Sequence, residues 1–388
     1  MLFNSEKITF LSDKKDDSAK ESGKLYCFAS PGKYLQGQGL LDKLPEYAQH
    51  YGTKVLYIIT KSLFEQVSSR LSARYPENDT YCCALFHGVC CEKSVSEFIR
   101  IAERFAAEVV VGIGGGNLLD TAKIVSSSLN LPLILMPSVV SCDAATSAMS
   151  VLYDDNGIYL GALRLSRRAD MILVDTEIIL RSPRRLFVSG IGDALATYFE
   201  ARAGSRSDAL NYIDDGYRSC CVAQIIARAT FDVLMAHGRE ALEAFSKGII
   251  SKALDEVIEN NIYLSGLAFE NTSCAVAHGL HGALGFFATK NTYHGEKVAF
   301  GLLCQMILEN SPAEEFQAVL ELCRDIGLPT ALDDFGIEAD HETAVKIAEY
   351  AVQHSSHLKN EPFAVTVESL AEAIIKADAV GQDNSRLI

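Results

Sequence analysis

Residues 108–123 read EVVVGIGGGNLLDTAK, and this stretch decides the fold. The apolar, β-branched run Glu108–Gly112 predicts a buried strand, which leads directly into the glycines Gly114–Gly116. Helical spacing follows over Leu119–Ser128. A helix that begins after such a turn offers free N–H groups and the positive end of its dipole to a phosphate. We therefore predict a phosphate-binding turn whose glycines adopt positive φ and let a ligand approach the backbone closely. The pattern matches neither GxGxxG nor GxxxxGK[ST], so a plain strand-to-helix turn remains the alternative.

Strands and helices alternate on both sides of this turn. Short apolar runs predict buried strands at Lys54–Thr60, Pro132–Met136 and Met171–Val174, and helical spacing predicts a helix at Ser94–Ala107. Strands separated by helices pair in parallel, so the N-terminal part is predicted to be an α/β domain with a parallel sheet.

The pattern changes near Ser182 and Pro183. Long amphipathic segments then dominate, including Arg185–Ala203 and Ile250–Ala268, and continuous β-rich runs almost disappear. We therefore predict an N-terminal extension at 1–24, an α/β dinucleotide-binding domain at 25–183 and an all-α domain at 184–388. The polar, mixed-charge extension is expected to be poorly ordered or loosely attached.

Composition excludes several classes of function. The 388 residues carry a formal charge of −15, which disfavours binding to nucleic acid or to an anionic membrane through bulk charge. No apolar run approaches the roughly 20 residues of a membrane span, and the N-terminus has no secretory h-region. The eleven cysteines include no CxxC pair, and they are expected to be reduced thiols in a cytoplasmic protein.

Three histidines lie close together in the second half of the chain. His278 and His281 are three residues apart, so they share a helix face, and His294 follows in the stretch HGEK. Neutral imidazole suits a divalent metal, and a catalytic site uses three protein ligands. Asp193, an acid within an apolar helical stretch, could supply a carboxylate. The alternatives are satisfied core or surface histidines, and an Asp193 that caps a helix or pairs with Arg202 or Arg206.

Five motifs in this order resemble the glycerol dehydrogenases, within the iron- or zinc-containing polyol dehydrogenase superfamily that also includes dehydroquinate synthase. The similarity runs from about Phe28 to Asp378. The motifs are SPGKYLQG at 30–37, GIGGGNLLDTAK at 112–123, SCDAATSAMSVLY at 141–153, GIGDALATYFEARA at 190–203 and HGEKVAFG at 294–301.

The resemblance implies an active site in a cleft between the two domains, in a homo-oligomeric enzyme. It implies that Asp193, His278 and His294 bind the metal, Zn²⁺ or Fe²⁺, and that Asp143 bonds a substrate hydroxyl. His281 is expected beside the substrate. The residues matching the cofactor site are Gly114, Gly115, Gly116, Asn117, Asp120, Ser138, Ser141, Ser147, Met149 and Tyr153. The implied reaction moves a hydride between a small polyol and a nicotinamide cofactor, as from glycerol to NAD with formation of dihydroxyacetone.

Two regions leave the substrate and the cofactor open. Thr60 stands where the superfamily often has the Asp that bonds the adenine ribose, and Lys61 follows it, so NADP is a candidate beside NAD. The stretch Asn271–Cys274 is expected to line the substrate region and differs from the superfamily pattern. The alternatives are therefore reduction of a 2-oxo acid or hydroxyketone and, less favoured, a lyase of the dehydroquinate synthase type.

Overall fold

The computed structural model describes residues 8–10, 25–75, 79–214 and 216–382. These residues form two compact units. The α/β unit contains residues 8–10 and 30–183, and the helical unit contains residues 25–29 and 184–382. The boundary between the two units lies between Pro183 and Arg184.

A six-stranded parallel sheet forms the centre of the α/β unit. Its order is β5-β4-β6-β7-β10-β3, and every pairing between neighbours is parallel. The strands are β3 (Tyr34–Gly37), β4 (Val55–Thr60), β5 (Tyr81–Phe86), β6 (Val109–Gly114), β7 (Leu133–Pro137) and β10 (Met171–Asp175). The four inner strands, β4, β6, β7 and β10, are continuous apolar runs buried on both faces because helices cover the sheet, whereas the edge strands β3 and β5 are mostly half-buried.

Five helices accompany this sheet, and a smaller sheet lies within the same unit. The helices are α1 (Leu44–Gln49), α2 (Phe64–Ser72), α3 (Glu92–Phe105), α4 (Gly116–Leu129) and α5 (Thr176–Ile179). The smaller sheet is antiparallel, in the order β1-β9-β8, and consists of β1 (Ile8–Phe10), β9 (Tyr159–Leu165) and β8 (Met149–Tyr153).

Strand β1 corrects the expectation of a loosely attached N-terminal extension. Ile8 pairs with Leu165 of β9 and is 1% exposed, so this strand is anchored by both hydrogen bonds and apolar burial. The rest of the predicted extension, residues 1–7 and 11–24, lies outside the described residues.

Nine α-helices lie in the described part of the helical unit. They are α6 (Arg184–Arg206), α7 (Cys221–Lys247), α8 (Lys252–Glu259), α9 (Ser265–Asn271), α10 (Val276–Phe287), α11 (His294–Leu308), α12 (Ala313–Ile326), α13 (His341–His354) and α14 (Val367–Gln382). A π-helical turn, Asn260–Leu264, joins α8 to α9. The parallel-sheet α/β unit followed by a helical unit confirms the predicted fold class.

Residues 25–29 belong to the helical unit, whereas the sequence predicted them to be part of the α/β domain. Strand β2 (Tyr26–Cys27) pairs in parallel with β11 (Arg218–Ser219) of the helical unit. The amide and carbonyl of Ala29 bond the buried side chain of Asn271. These backbone contacts attach the segment to the helices.

Two further expectations concern cysteines and membranes. None of the eleven cysteines, all within the described residues, forms a disulfide. Within the described part of the chain, no helix combines the length and apolar character that crossing a membrane requires.

Candidate functional site

The glycine turn lies between β6 and α4. Strand β6 ends at Gly114, Gly115 precedes α4 in an extended conformation (φ −90°, ψ −178°), and Gly116 is the first helical residue. None of the three has a positive φ, so the expected left-handed conformation was wrong. Close packing accounts for one of them, since a Cβ on Gly114 would lie 2.7 Å from Cδ1 of Leu118, whereas a Cβ on Gly115 or Gly116 would have ordinary contacts at 3.4 Å and beyond. The helix therefore begins immediately at the strand end.

This turn occupies the topological switch point of the parallel sheet. After β5 the chain crosses back over β4, so β4 and β6 are neighbours whose following connections run in opposite directions along the sheet. Open α/β sheets bind ligands at the carboxyl ends of strands at such a point. Thr60 ends β4 there, one residue beyond the Ile59–Ile113 pair, and Lys61 is exposed beside it.

The segment 138–148 lies beside the glycine turn. Ser138 N donates to Gly114 O over 2.9 Å. The Sγ of Cys142 lies 3.7 Å from the position that a Cβ on Gly116 would occupy. The flanking residues Ser141 and Asp143 are half-buried. The structure thus brings this part of the predicted cofactor set close to the glycines.

The remaining predicted cofactor residues are distributed differently. Ser147 is buried, whereas Met149 and Tyr153 are half-buried at the two ends of β8. Burial, with a smaller contribution from the charge of Asp120, raises the pKa of Tyr153 to about 12. Asn117 is exposed in the first turn of α4, and its Oδ1 accepts a hydrogen bond from Cys90 N over 3.1 Å.

Asp120, predicted as part of the cofactor site, contacts Lys123 and the backbone of β8. It is 6% exposed; Oδ1 lies 2.8 Å from Lys123 Nζ, and Oδ2 accepts from Val151 N over 3.0 Å. Burial raises the pKa of its carboxyl, although Lys123 opposes that shift. Asp120 therefore supports the segment around β8.

Asp193, His278 and His294 converge in the helical unit. Oδ1 of Asp193 lies 3.3 Å from His278 Nε2 and 3.1 Å from His294 Nε2. One potential ligand atom from each of the three residues lies within 4.8 Å of the other two. Asp193 Oδ1 is buried, and neither approach has hydrogen-bond geometry, so no described residue donates a hydrogen bond to it. One carboxylate and two imidazoles around an orphaned buried oxygen fit a divalent zinc or iron ion.

Glycines at helix crossings bring these three side chains together. Gly295 follows His294 on α11, and a Cβ there would overlap the carbonyl oxygen of Ser189 on α6. Likewise, a Cβ on Gly192 would lie 2.5 Å from the carbonyl oxygen of Gly295. Asp193 and His294 thus meet because both helix backbones approach closely at neighbouring glycines. A third glycine, Gly301, does the same for α11 and α10, since its Cβ would overlap the carbonyl oxygen of Ala277.

Glu200 orients His278 and was not predicted. Its Oε2 lies 2.6 Å from His278 Nδ1, which directs Nε2 toward Asp193. Its Oε1 accepts from the amides of Ala275 (2.7 Å) and His278 (2.9 Å), so it also caps α10, whose N-cap residue Ala275 has no polar side chain. A signal existed, because Glu200 follows Asp193 by seven residues on the same face of an apolar helix.

The electrostatics of the cluster favour an ionised Asp193. Burial opposes ionisation, but the charges of His294 and His278 outweigh it and hold the pKa of Asp193 below its ordinary value. Burial lowers the pKa of His278, yet the neighbouring Cys274 and Glu200 raise it well above the usual value. A proton and a metal would compete for His278 Nε2, so metal binding should weaken in acid.

His281 adjoins the cluster without entering it. Its ring centroid lies 4.6 Å from that of His294. Burial, followed by the charges of His294, His278 and Lys297, lowers its pKa well below the ordinary value. A neutral imidazole beside the cluster can donate or accept one hydrogen bond.

The segment Asn271–Cys274, which is expected to line the substrate region, is buried in the helical unit. Asn271 Nδ2 bonds the carbonyl oxygens of Ala29 and Leu267, each over 2.8 Å. The side chain of Ser273 packs so closely against Gly204 that a Cβ there would overlap Ser273 Oγ. Asn271 is fully buried and Cys274 is 2% exposed, so both fill the interior.

Glu361 is a buried acid whose charge is only partly compensated by its surroundings. It is 4% exposed, and no described residue donates a hydrogen bond of ordinary geometry to either carboxylate oxygen. Burial, followed by the charge of Glu309, raises its pKa from 4.5 to about 8, although the nearby Val276 amide opposes this. The folded state therefore keeps this proton where an unfolded chain would lose it.

We expect Glu361→Gln to remove a pH-dependent loss of stability. Because the folded pKa lies above the unfolded one, the free energy of unfolding falls as pH rises from about 4.5 to about 8. At about 1.4 kcal/mol per pKa unit, the whole change is on the order of 5 kcal/mol. Denaturant titrations at pH 5 and pH 8.5 should show a flatter profile for Glu361→Gln than for the exposed control Glu349→Gln. Parallel profiles for the two variants would refute the assignment.

Comparisons with known proteins agree with the geometry. The family described as iron-containing alcohol dehydrogenase matches residues 31–176. The chain is 39% identical over 359 residues to a glycerol dehydrogenase of Pseudomonas putida and 37% identical over 356 residues to one of Citrobacter freundii. Each alignment covers 91% of this chain and 97% of the relative. The crystal structure of a probable glycerol dehydrogenase from Sinorhizobium meliloti 1021 matches with a TM-score of 0.85 at 36% identity, covering 92% of this chain and 99% of that one. The resemblance that the five motifs predict is confirmed.

Proposed function

Because this chain belongs to the glycerol dehydrogenases, within the iron-containing alcohol dehydrogenases, we propose that it oxidises glycerol or a similar vicinal diol with NAD. The observation that carries the proposal is the convergence of Asp193, His278 and His294, with an orphaned carboxylate oxygen at its centre. That donor set, in a member of an alcohol dehydrogenase family, favours metal-assisted hydride transfer over the lyase alternative.

The proposed metal ligands are Asp193, His278 and His294, and the proposed ion is Zn²⁺, with Fe²⁺ as the alternative. When bound, a divalent metal supplies Lewis-acid polarisation of a substrate hydroxyl, and a nicotinamide cofactor supplies the hydride acceptor. The protein's own contribution is orientation. Glu200 fixes the tautomer of His278, and the glycine crossings fix the spacing of all three ligands.

Two further residues are proposed to contact the substrate. His281 is neutral and adjoins His294, so it can hydrogen-bond a substrate hydroxyl without adding charge. Asp143 is half-buried on the segment beside the glycine turn, and we propose that its carboxylate accepts a hydrogen bond from the reacting hydroxyl. Both roles remain predictions from the motifs.

Glu200→Gln should weaken metal binding without removing a ligand. The amide can still accept one hydrogen bond, but it no longer offers a charged acceptor to both His278 Nδ1 and the amides at the start of α10. Loss of such a partner typically lowers metal affinity by about 10- to 100-fold. Competition with a chromophoric chelator measures the affinity, and the exposed Glu243→Gln serves as the control. An affinity equal to that of the wild type would exclude the orienting role of Glu200.

Cofactor choice depends on Thr60 in this proposal. The glycine turn and Ser138 are proposed to bind the pyrophosphate and the adjoining part of the cofactor. Thr60 is proposed to face the adenine ribose. A carboxylate there would bond the ribose hydroxyls of NAD and repel a 2′-phosphate. We therefore expect Thr60→Asp to raise the ratio of kcat/KM for NAD to that for NADP by about tenfold or more, in line with a difference of about 1.4 kcal/mol. An unchanged ratio would place the ribose elsewhere.

We also propose a cellular location, an oligomeric state and a type of substrate for the enzyme. The reduced thiols support a cytoplasmic location, and the family resemblance supports a homo-oligomer. The acidic net charge supports a small-molecule substrate in place of nucleic acid or a membrane surface.

A rate matrix tests the proposed function. Zinc-loaded protein is assayed by reduced-cofactor absorbance with glycerol, 1,2-propanediol, dihydroxyacetone and a 2-oxo acid, each with NAD(H) and with NADP(H). Metal-dependent turnover of glycerol or the diol with NAD is the expected result. Activity confined to the 2-oxo acid or to NADP(H) would overturn the proposal in favour of the reductase alternative.

A further inference from the structure

Lys123 is a buried lysine to which the proposed function assigns no role. It lies on α4 with its side chain 1% exposed. Four oxygen atoms surround its ammonium group. Nζ lies 2.8 Å from Asp120 Oδ1, donates to the carbonyl oxygen of Ala144 over 2.8 Å, and also contacts the carbonyl oxygens of Ser147 (3.4 Å) and Met149.

The burial of this ammonium group needs an explanation. Moving an ammonium out of water costs several kcal/mol, and an apolar side chain of similar volume would fill the space without that cost. The ion pair with Asp120 compensates for part of the cost, and the carbonyl oxygens satisfy the ammonium's remaining hydrogens. An apolar residue could not hold three carbonyl groups in one place.

The three carbonyl groups belong to one short segment, Ala144–Met149. On its N-terminal side the segment continues directly from Asp143, whose carbonyl oxygen accepts from Thr146 N in a turn. On its C-terminal side it enters β8, where Asp120 Oδ2 accepts from Val151 N and Ser150 Oγ donates to the backbone of Asp120. The Asp120–Lys123 pair therefore forms hydrogen bonds with the segment just after Asp143 and again where the segment enters β8.

We propose that Lys123 is a positioning residue for the dehydrogenase reaction, acting through the segment Ala144–Met149 to hold Asp143 and the neighbouring cofactor residues in place. This inference rests on the proposed function for the roles of Asp143 and Met149. That Lys123 holds the segment Ala144–Met149 follows from its own contacts. Because α4 also begins at the glycine turn, one helix sets both the turn and the segment beside it.

Lys123→Met tests the proposal, with the exposed Lys93→Met on α3 as the matched control. Hydrogen exchange should rise in residues 143–151 of Lys123→Met while the central strands stay protected. In steady-state assays kcat/KM for the alcohol should fall by about 100-fold, as a displacement near 1 Å can cause, and zinc content should not change. Binding of the reduced cofactor should weaken much less, because its adenine half lies outside the segment.

Two further results keep the test decisive. If Lys123→Met does not fold, Asp120→Asn, which removes the charge facing Nζ, should show the same localised exchange and a smaller loss of kcat/KM. Unchanged exchange in residues 143–151, or wild-type kcat/KM in a variant that is only less stable, would overturn the inference. Exchange is measured without turnover. A wild-type enzyme that is inactive on every alcohol would therefore refute the proposed function while the exchange result still decides whether Lys123 holds the segment.

Discussion

Asp193→Asn is expected to lose bound metal and at least roughly 1,000-fold in kcat, because Lewis-acid stabilisation of developing charge contributes several kcal/mol. The substitution keeps the shape of the side chain and removes the single anionic ligand of the proposed set. A neutral amide removes the carboxylate that faces Nε2 of both histidines, and His278 keeps only Glu200, on the other side of its ring, as a charged partner. Metal content by atomic emission and kcat at saturating substrate measure the two effects.

The control for this variant is Asp232→Asn. Asp232 lies on α7 of the same unit and forms an exposed i,i+4 pair with Arg228, which contributes little to stability. It should keep wild-type metal content and rate. Retention of a full metal complement by Asp193→Asn would show that the ion binds elsewhere.

Gly295→Ala is expected to separate α6 from α11 and, with them, Asp193 from His294. An added Cβ would overlap the carbonyl oxygen of Ser189, and backbone atoms on both sides leave no flexible side chain to move aside. Overpacking of this kind costs about 1–3 kcal/mol and occasionally more. We expect a loss of stability at the upper end of that range, together with at least a tenfold loss of zinc affinity.

Gly282→Ala provides the matched control for this experiment. Gly282 lies on α10, and a Cβ there meets no atom within 4 Å. Alanine is the better helix former by about 1 kcal/mol, so this variant should be slightly more stable than the wild type. Denaturant unfolding of the metal-free proteins gives the comparison. Equal stability of Gly295→Ala and Gly282→Ala would refute the role of the helix crossing.

The central sheet was predictable because burial on both faces leaves an unmistakable sequence pattern. The runs at 54–60, 108–112 and 132–136 each became a central strand, displaced by at most two residues at either end. The predicted helix Ile250–Ala268 is not one continuous α-helix. Helix α8 ends at Glu259, and a π-helical turn separates it from α9. Periodicity cannot reveal a single extra residue in a turn, because the apolar face continues across it.

The candidate metal ligands were predictable, whereas their supports were not. Histidines three residues apart and an acid in an apolar helix are local features. Glu200 contacts a histidine 78 residues away, and Lys123 contacts carbonyl oxygens 21 to 26 residues away. Such partners are set by tertiary packing. The same limit applies to Asn271–Cys274, because the burial of this segment against Ala29 and Gly204 could not be inferred from the motif.

The most direct test of the account is a zinc titration of chelator-treated protein, followed by the rate of glycerol oxidation with NAD. Turnover should be negligible without metal and should rise linearly until one ion is bound per chain. Full activity of the metal-free protein would contradict this expectation. So would an Asp193→Asn variant whose rate rises with zinc and saturates as that of the wild type does.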